Sequence, residues 1–409
     1  MRVLFVHQNF PGQFRHLAAA LANDPTHQVV AIGEAPNLKR QGVCHPRIHR
    51  LGYGLDGQRV STTNPWLKDV EAAVIRGQVV SKIARQLAGR GFKPDLIVGH
   101  PGWGETLFLR DVFTQSHLIT YCEFFYRADG ADVGFDPEYP AKADDIGRLR
   151  ARNFSHLSAI EAADQGLSPT LWQRSLYPSI LQPRIQVLHE GIDTDRLKPD
   201  PQAQLRIGPL ELKPGDPVVT YVARNLEPYR GFHCFMRALP AIQAGHPDVR
   251  VIVVGGDEVS YGRTRSDGQT YRQALTAELD GRVDWSRVHF LGRVPYATYQ
   301  RVLQVSAVHA YLTYPFVLSW SLLEAMATGC LIVASKTTPV LEVIEDGVNG
   351  WLIDFFDTEQ LAKQILLALS TPEQTLAMRQ QARATVQARF DLHRHCLPRG
   401  LELLLQAGH

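Results

Sequence analysis

Residues 311–335 read YLTYPFVLSWSLLEAMATGCLIVAS. A short aromatic loop runs into a helical pattern that carries a single carboxylate, Glu324. Leu322, Leu323, Ala325 and Met326 supply a packing face, and Gly329 is the residue a helix C-terminus favours. An apolar run from Cys330 to Ala334 follows at once and reads as a buried strand. Loop, helix and strand in this order are the repeating unit of an α/β sheet, although a buried structural helix can also read LLEAMA.

The same alternation extends outward in both directions. Strands are expected at 218–223, 249–254, 288–291, 308–312 and 331–334, with helices at 232–244, 271–279, 296–305 and 319–328 between them. The first half offers apolar runs at 2–7, 28–32, 95–99, 118–122, 165–167 and 185–188. Phe14, Leu17, Ala18 and Leu21 recur at helical spacing, and 70–88 is a second amphipathic helix. Short buried strands separated by helices mean parallel sheets covered on both faces. Residues 196–217 hold Pro199, Pro201, Pro209, Pro214 and Pro217, and they read as a linker between two such sheets. A helix at 372–390 leads into a tail, 391–409.

With 409 residues the chain has room for two or three domains. Forty-three basic against forty-one acidic side chains leave a net charge of +2, which does not suit a nucleic-acid partner. The five cysteines are dispersed with no CxxC pair, so neither a zinc site nor a disulfide framework is expected. The apolar run at the N-terminus is too short for a signal peptide, and none approaches the length of a membrane span. A cytoplasmic protein is expected, with room for a peripheral contact at the inner face of a membrane.

Chemistry should gather where strands end. Arg224 stands at the carboxyl edge of the strand 218–223 and Arg230 just before a helix, where two guanidiniums can clamp a diphosphate; the alternative is a pair of solvated arginines. Gly12 and Gln13 lie between the first strand and its helix, where a glycine admits a phosphate close to the backbone or makes a plain turn. His100, in VGHPGWG with Trp103, can donate to a hydroxyl, or be a loop histidine bonded to backbone. Glu123 and Tyr126 open an aromatic and acidic segment that suits a sugar, or that buries its rings under a covering loop. The aspartates of this segment miss calcium spacing, Asp193-Thr194-Asp195 spells a DxD that can hold a metal but reads here as a structural turn, and no GxGxxG supports a nicotinamide cofactor.

The loop carrying Arg224 and Arg230, the Glu324 helix and its following strand together resemble the GT-B glycosyltransferases of family 4. The resemblance implies an α/β fold of two Rossmann-like domains facing across a cleft, with the C-terminal helix crossing back to the first. Residues 1–195 with the helix 391–409 would be the acceptor-side domain, 196–217 the linker, and 218–390 the nucleotide-sugar domain. It also implies a retaining transfer from a nucleoside-diphosphate sugar to a glycan, lipid or small-molecule acceptor, with no cofactor and no metal. Arg224, Arg230 and His100 would then be catalytic. Gly12, Gln13, Arg293, Val294, Phe316, Ser319, Trp320 and Glu324 would join the arginines around the nucleotide-sugar, and Trp103, Glu123 and Tyr126 would meet the acceptor. One departure stands out: the family has a glutamate eight residues before the one in the helix, and here that place is Phe316. An altered donor, another residue such as Ser319 in the glutamate's role, or a catalytically silent subunit that binds a partner or a glycan are the readings this leaves open; a sugar-nucleotide epimerase on the same fold is a further alternative.

Overall fold

In β1 (Arg2–Val6) successive side chains point to opposite faces, and both faces are buried. Val3 and Phe5 join Val29, Ala31, Val98 and Ile119 in one apolar layer, under Phe14, Ala18 and Leu21. Leu4 and Val6 join Val30, Ile32, Ile97 and Leu118 in the other, under Val80 and Ala84 of the long helix Lys68–Gly89. This two-sided burial is why the strands read as unbroken apolar runs rather than alternating ones. The computed structural model describes residues 1–55 and 57–408.

By contact the chain divides into two units, Met1–Gly191 with Leu392–His409, and Ile192–Asp391. In the first, β2 (Gln28–Glu34), β3 (His49–Tyr53), β4 (Leu96–Gly99), β5 (His117–Tyr121), β6 (Gln165–Ser168) and β7 (Ile185–Val187) complete a parallel sheet of order β3-β2-β1-β4-β5-β6-β7. The C-terminal helix Leu397–Ala407 lies beside the helix Arg15–Asn23, and Leu404 is sealed in that layer. Gly400 permits this approach, because a Cβ there would stand 2.7 Å from Leu17.

The second unit opens with a hairpin, β8 (Leu205–Ile207) and β9 (Leu210–Leu212). It continues through β10 (Val218–Asn225), β11 (Arg250–Gly256), β12 (Val288–Gly292), β13 (Val308–Tyr311), β14 (Leu331–Ser335) and β15 (Trp351–Ile353). These six form a parallel sheet of order β12-β11-β10-β13-β14-β15. The proline-rich segment 196–217 is therefore not a linker. Leu205 and Leu212 of the hairpin, with Ala203, are buried against Val218, Ile252, Val254 and Val302, inside the second unit. Its prolines flank the hairpin or sit in its turn, where the missing N–H breaks no ladder bond. The boundary lies at 191/192 instead, and there Ile192 pairs with Asp391 and donates its N–H to Phe390 at 2.8 Å. Thr194, in the DxD turn, donates its hydroxyl to the buried Asp391, so this turn is held by structure.

Candidate active site

Each sheet has one place where chain order reverses direction, and ligands of open α/β sheets bind outside the strand ends at that point. In the first unit it lies between β1 and β4. The loops after β1, β4 and β5 bring together Gln13, His100 and Glu123, with His7 added. Gln13 Nε2 donates to Glu123 Oε1 at 2.6 Å, and His100 Nε2 meets Glu123 Oε2 at 3.1 Å. The tautomers follow from the backbone. The Gly102 N–H donates to His100 Nδ1, so the proton on His100 is on Nε2 and points at the carboxylate. By the same logic the Asn9 N–H occupies His7 Nδ1, and His7 Nε2–H donates to Gln13 Oε1 at 2.8 Å.

The chain His7–Gln13–Glu123–His100 thus converges from both sides on the Glu123 carboxylate. His100 is 2% exposed, stacked on Trp103 at 4.8 Å and on Tyr121 at 5.5 Å, and both its nitrogens are engaged. Glu123 keeps about a third of its side chain exposed, 34%. Burial works to raise its pKa, but the hydrogen bond and charge of His100, with His7 and Gln13 adding to them, hold the carboxyl below its ordinary value. Burial, with His100 beside it, pushes His7 down to about 3. Gly12, at φ +47°, presses on the His7 ring, where a Cβ would stand 2.5 Å from Nε2. Tyr126 sits further along, its backbone tied to Asn153 and its ring under the Arg152 guanidinium at 4.1 Å.

In the second unit the reversal lies between β10 and β13. Arg224, near the end of β10, is exposed. Arg230 is 7% exposed, and its Nη1 donates to Thr313 Oγ1 at 2.8 Å, to the Val317 carbonyl at 3.0 Å and to Tyr311 Oη at 3.4 Å. It ties the loop after β10 to the loop after β13. Burial works against its charge, yet the surrounding tyrosines, Tyr311 and Tyr261 first, raise its pKa on balance. Phe316 is buried 4.9 Å from the Tyr261 ring and 5.5 Å from Tyr229, and Tyr261 and Phe316 stand 5.5 and 5.9 Å from the Arg230 guanidinium. Tyr261 is fixed by Glu227, a fully buried carboxylate that accepts the backbone N–H groups of Ser260, Tyr261 and Gly262. No local pattern announces this clamp, because its halves are more than thirty residues apart.

Ser319 caps the helix Trp320–Ala327, accepting the Ser321 N–H, and donates its own N–H to Tyr311 Oη at 2.9 Å. Trp320 is exposed beside it. Glu324 accepts from Tyr296 Oη at 2.8 Å and from Tyr299 Oη at 2.7 Å. Burial and then this carboxylate raise the pKa of both phenols. The tyrosines are three residues apart at the start of their helix and so share a face, a spacing that the sequence itself carries. Arg293 is spread between Asn225 Oδ1 at 3.0 Å and Glu258 Oε2 at 2.7 Å, and Val294 packs on the apolar core. Among the described residues no three or more His, Cys, Asp or Glu side chains gather as a metal site would need. No helix among them is long and apolar enough to cross a membrane.

Residues 25–197 match the glycosyl transferase family 4 group, and 206–385 match the glycosyl transferases group 1. The D-inositol 3-phosphate glycosyltransferase of Mycobacterium sp. (strain JLS) is 31% identical over 193 residues, 47% of this chain and 41% of that protein. The chain thus aligns with less than half the length of this curated relative. The crystal structure of Anabaena HepE with UDP-glucose superposes at a TM-score of 0.66 and 18% identity over 100% of both chains. Sucrose-phosphate synthase from Thermosynechococcus elongatus does so at 0.73 and 18%, again over 100% of both. Two parallel Rossmann-like sheets, a C-terminal helix returned to the first of them, and a family match over each half say the same thing: the chain belongs to the GT-B glycosyltransferases of the family 4 type.

Proposed function

We propose that the protein transfers a sugar, with retention of anomeric configuration, from a nucleoside-diphosphate sugar to a hydroxyl acceptor. The observation that carries this reading is the set of groups at the β10/β13 reversal: Arg224, Arg230, the capped start of the Trp320–Ala327 helix, and Glu324 held by two tyrosines. Cationic groups and the positive end of a helix dipole suit a diphosphate, and a carboxylate with fixed orientation suits a ribose diol. The relative that binds UDP-glucose shares the fold and supports a donor of this class.

The step is a same-face displacement. The acceptor oxygen forms a bond to the anomeric carbon as the bond from that carbon to the diphosphate oxygen breaks. The acceptor proton passes to the departing phosphate, whose charge the arginines stabilise. Glu123, rather than His100, presents the group that can accept a hydroxyl proton in a hydrogen bond, and His100 positions it. No metal is assigned a part, so turnover should persist in excess chelator. The test is turnover of a labelled nucleotide-sugar: nucleoside diphosphate released only with acceptor present supports transfer, and product formed without acceptor points to epimerisation.

One observation favours a second reading. Phe316 and Tyr261 cover Arg230, and Phe316 stands where the family carries a glutamate. A chain so filled would bind a partner or a glycan without turnover. Phe316→Glu decides between them: on an active enzyme it lowers activity on the native donor, and in a silent subunit it awakens transfer.

A further inference from the structure

Between the C-terminal helix and one edge of the first sheet lies a cleft of about 400 Å³, and both of its walls belong to the first unit. One wall is the start of three neighbouring strands. Ile119 lies beside Gln165, and Leu167 beside Gln186, so His117, Gln165 and Gln186 share a face with Ile119, Leu167 and Leu188. On that face Ile119 and Leu167 belong to the apolar layer under the C-terminal helix, with Leu188 packed on it. Three planar polar side chains thus stand in a row beside apolar neighbours. The other wall is the helix Leu397–Ala407. At about 100° per residue, Arg399, Glu402 and Gln406 fall within roughly 60° of one another, and all three are exposed. The cleft is at the strand starts, whereas Glu123 follows the end of β5. The residues from His117 to Tyr121 alone separate the two places by about 13 Å.

The fold leaves part of this lining unsatisfied. His117 Nε2 and Gln165 Nε2 are buried and have no hydrogen-bond partner among the described residues, a state native proteins rarely leave without a reason. Glu402 accepts a hydrogen bond from Gln406 at 3.2 Å and keeps its other oxygen for a ligand. Arg399 and Glu402 are the formally charged members of the lining and offset each other, so the cleft favours neither an anion nor a cation. Amides, an imidazole, a guanidinium and a carboxylate together donate and accept, which is what a ring of hydroxyls requires. Leu188 and Leu403 add apolar surface to the same lining, which suits the C–H face of a sugar ring. A volume of about 400 Å³ lies in the range of small-molecule sites and has room for a mono- or disaccharide unit.

We propose that this cleft is a binding subsite for a neutral saccharide, separate from the site of transfer. It needs neither donor nor turnover, so it stands or falls apart from the reaction proposed above. The test uses maltotriose, cellotriose and mannotriose, each titrated into the full chain and followed by saturation-transfer NMR and calorimetry. At least one should bind, and should bind equally well to Glu123→Gln, because Glu123 lies at the other end of β5. Gln186→Ala with Gln406→Ala, and separately Arg399→Ala with Glu402→Ala, should each weaken that binding roughly tenfold. All four positions are exposed, so the thermal midpoint of both double variants should stay within about 1–2 °C of the wild type. No binding by any of the three trisaccharides overturns the proposal, as does binding that both double variants retain. Loss of binding in Glu123→Gln overturns it as well, by placing the sugar at the transfer site. Inorganic phosphate bound in the cleft and lost in Arg399→Ala, with no trisaccharide bound, makes it an anion site and equally overturns it.

Discussion

The two reversal points occupy the same place in their sheets and are built from opposite chemistry. The first presents an anion: Glu123, partly exposed, fed by hydrogen bonds from Gln13 and His100. The second holds a cation: Arg230, buried, satisfied by oxygens of Thr313, Val317 and Tyr311 and covered by two rings. Histidines tune the first, where His100 stacks on Trp103 and Tyr121. Tyrosines tune the second. The lesson is that the parallel sheet supplies only a location, and the loops after the strands decide which charge is displayed and how much of it water can reach.

Acid should separate the two units most strongly. Burial pushes His7 and His156 down to about 3 and His189 to about 4, all in the first unit, while in the second His309 is pushed to about 4. In the unfolded chain these rings take up protons near 6.5, and in the folded chain they resist until 3 or 4. Their contribution is thus complete above pH 6.5 and is lost as pH falls from there. At pH 4.5 each would cost roughly 2–3 kcal/mol, from ~1.4 kcal/mol per pH unit. Glu105, raised by its burial despite the Tyr53 hydroxyl, acts in the opposite direction and offsets part of this. Limited proteolysis across pH 7 to 4 should degrade the first unit before the second. Simultaneous loss of both would break the comparison.

Arg230 comes next, because it joins two loops from the inside. Arg230→Met removes three donated bonds from a charged group and should destabilise by about 1.5–3 kcal/mol. The thermal midpoint of the second unit should fall and nucleotide binding with it. A variant as stable as the wild type would mean that Arg230 is held by the site without holding it.

How much of this was legible in the sequence depends on how far apart the partners are. The interior strands announced themselves because both faces are buried and the apolar run is unbroken. Two edge strands did not: β3, HRLGY, alternates polar residues, and β15 has three residues. The hairpin β8–β9 reads as a linker because its prolines are conspicuous and its burial against Val218, Ile252, Val254 and Val302 is not. The helix Thr358–Ser370 is amphipathic and lies outside the helices the sequence pattern predicts. At the sites the individual residues were named from their places after strands, but their bonds were invisible. Gln13 and Glu123 are 110 positions apart, and Glu227 reaches its clamp across 33 to 35. His100 looked like the acting group because histidine is versatile. Its burial and its engaged nitrogens pass the exposed chemistry to Glu123.

Glu123→Gln sharpens that assignment. It preserves shape and the contact to Gln13 while removing the charge that His100 Nε2–H addresses. Loss of one charged hydrogen bond in the transition state should lower kcat/KM ten- to a hundredfold, about 1.4–2.7 kcal/mol, with the donor Kd unchanged. An equal loss in donor affinity would show that the carboxylate meets the donor first.

The smallest effect is expected at Arg224, and its contrast with Arg230 is the sharpest test inside the second unit. Both guanidiniums flank the same strand end, yet one is exposed and the other sealed. An exposed side chain with no packing role contributes little to stability, so Arg224→Ala should leave the thermal midpoint within about 1–2 °C, the range of an ordinary surface substitution. Its charge faces solvent and a diphosphate can reach it without moving Tyr261 or Phe316. Affinity for a nucleoside diphosphate, measured by calorimetry, should therefore fall about tenfold, ~1.4 kcal/mol, and the loss should shrink at high salt. If Arg224→Ala binds nucleotide as the wild type does while Arg230→Met does not, the phosphate passes the exposed arginine and goes to the covered one. Tyr261 and Phe316 must then move aside for each donor that enters.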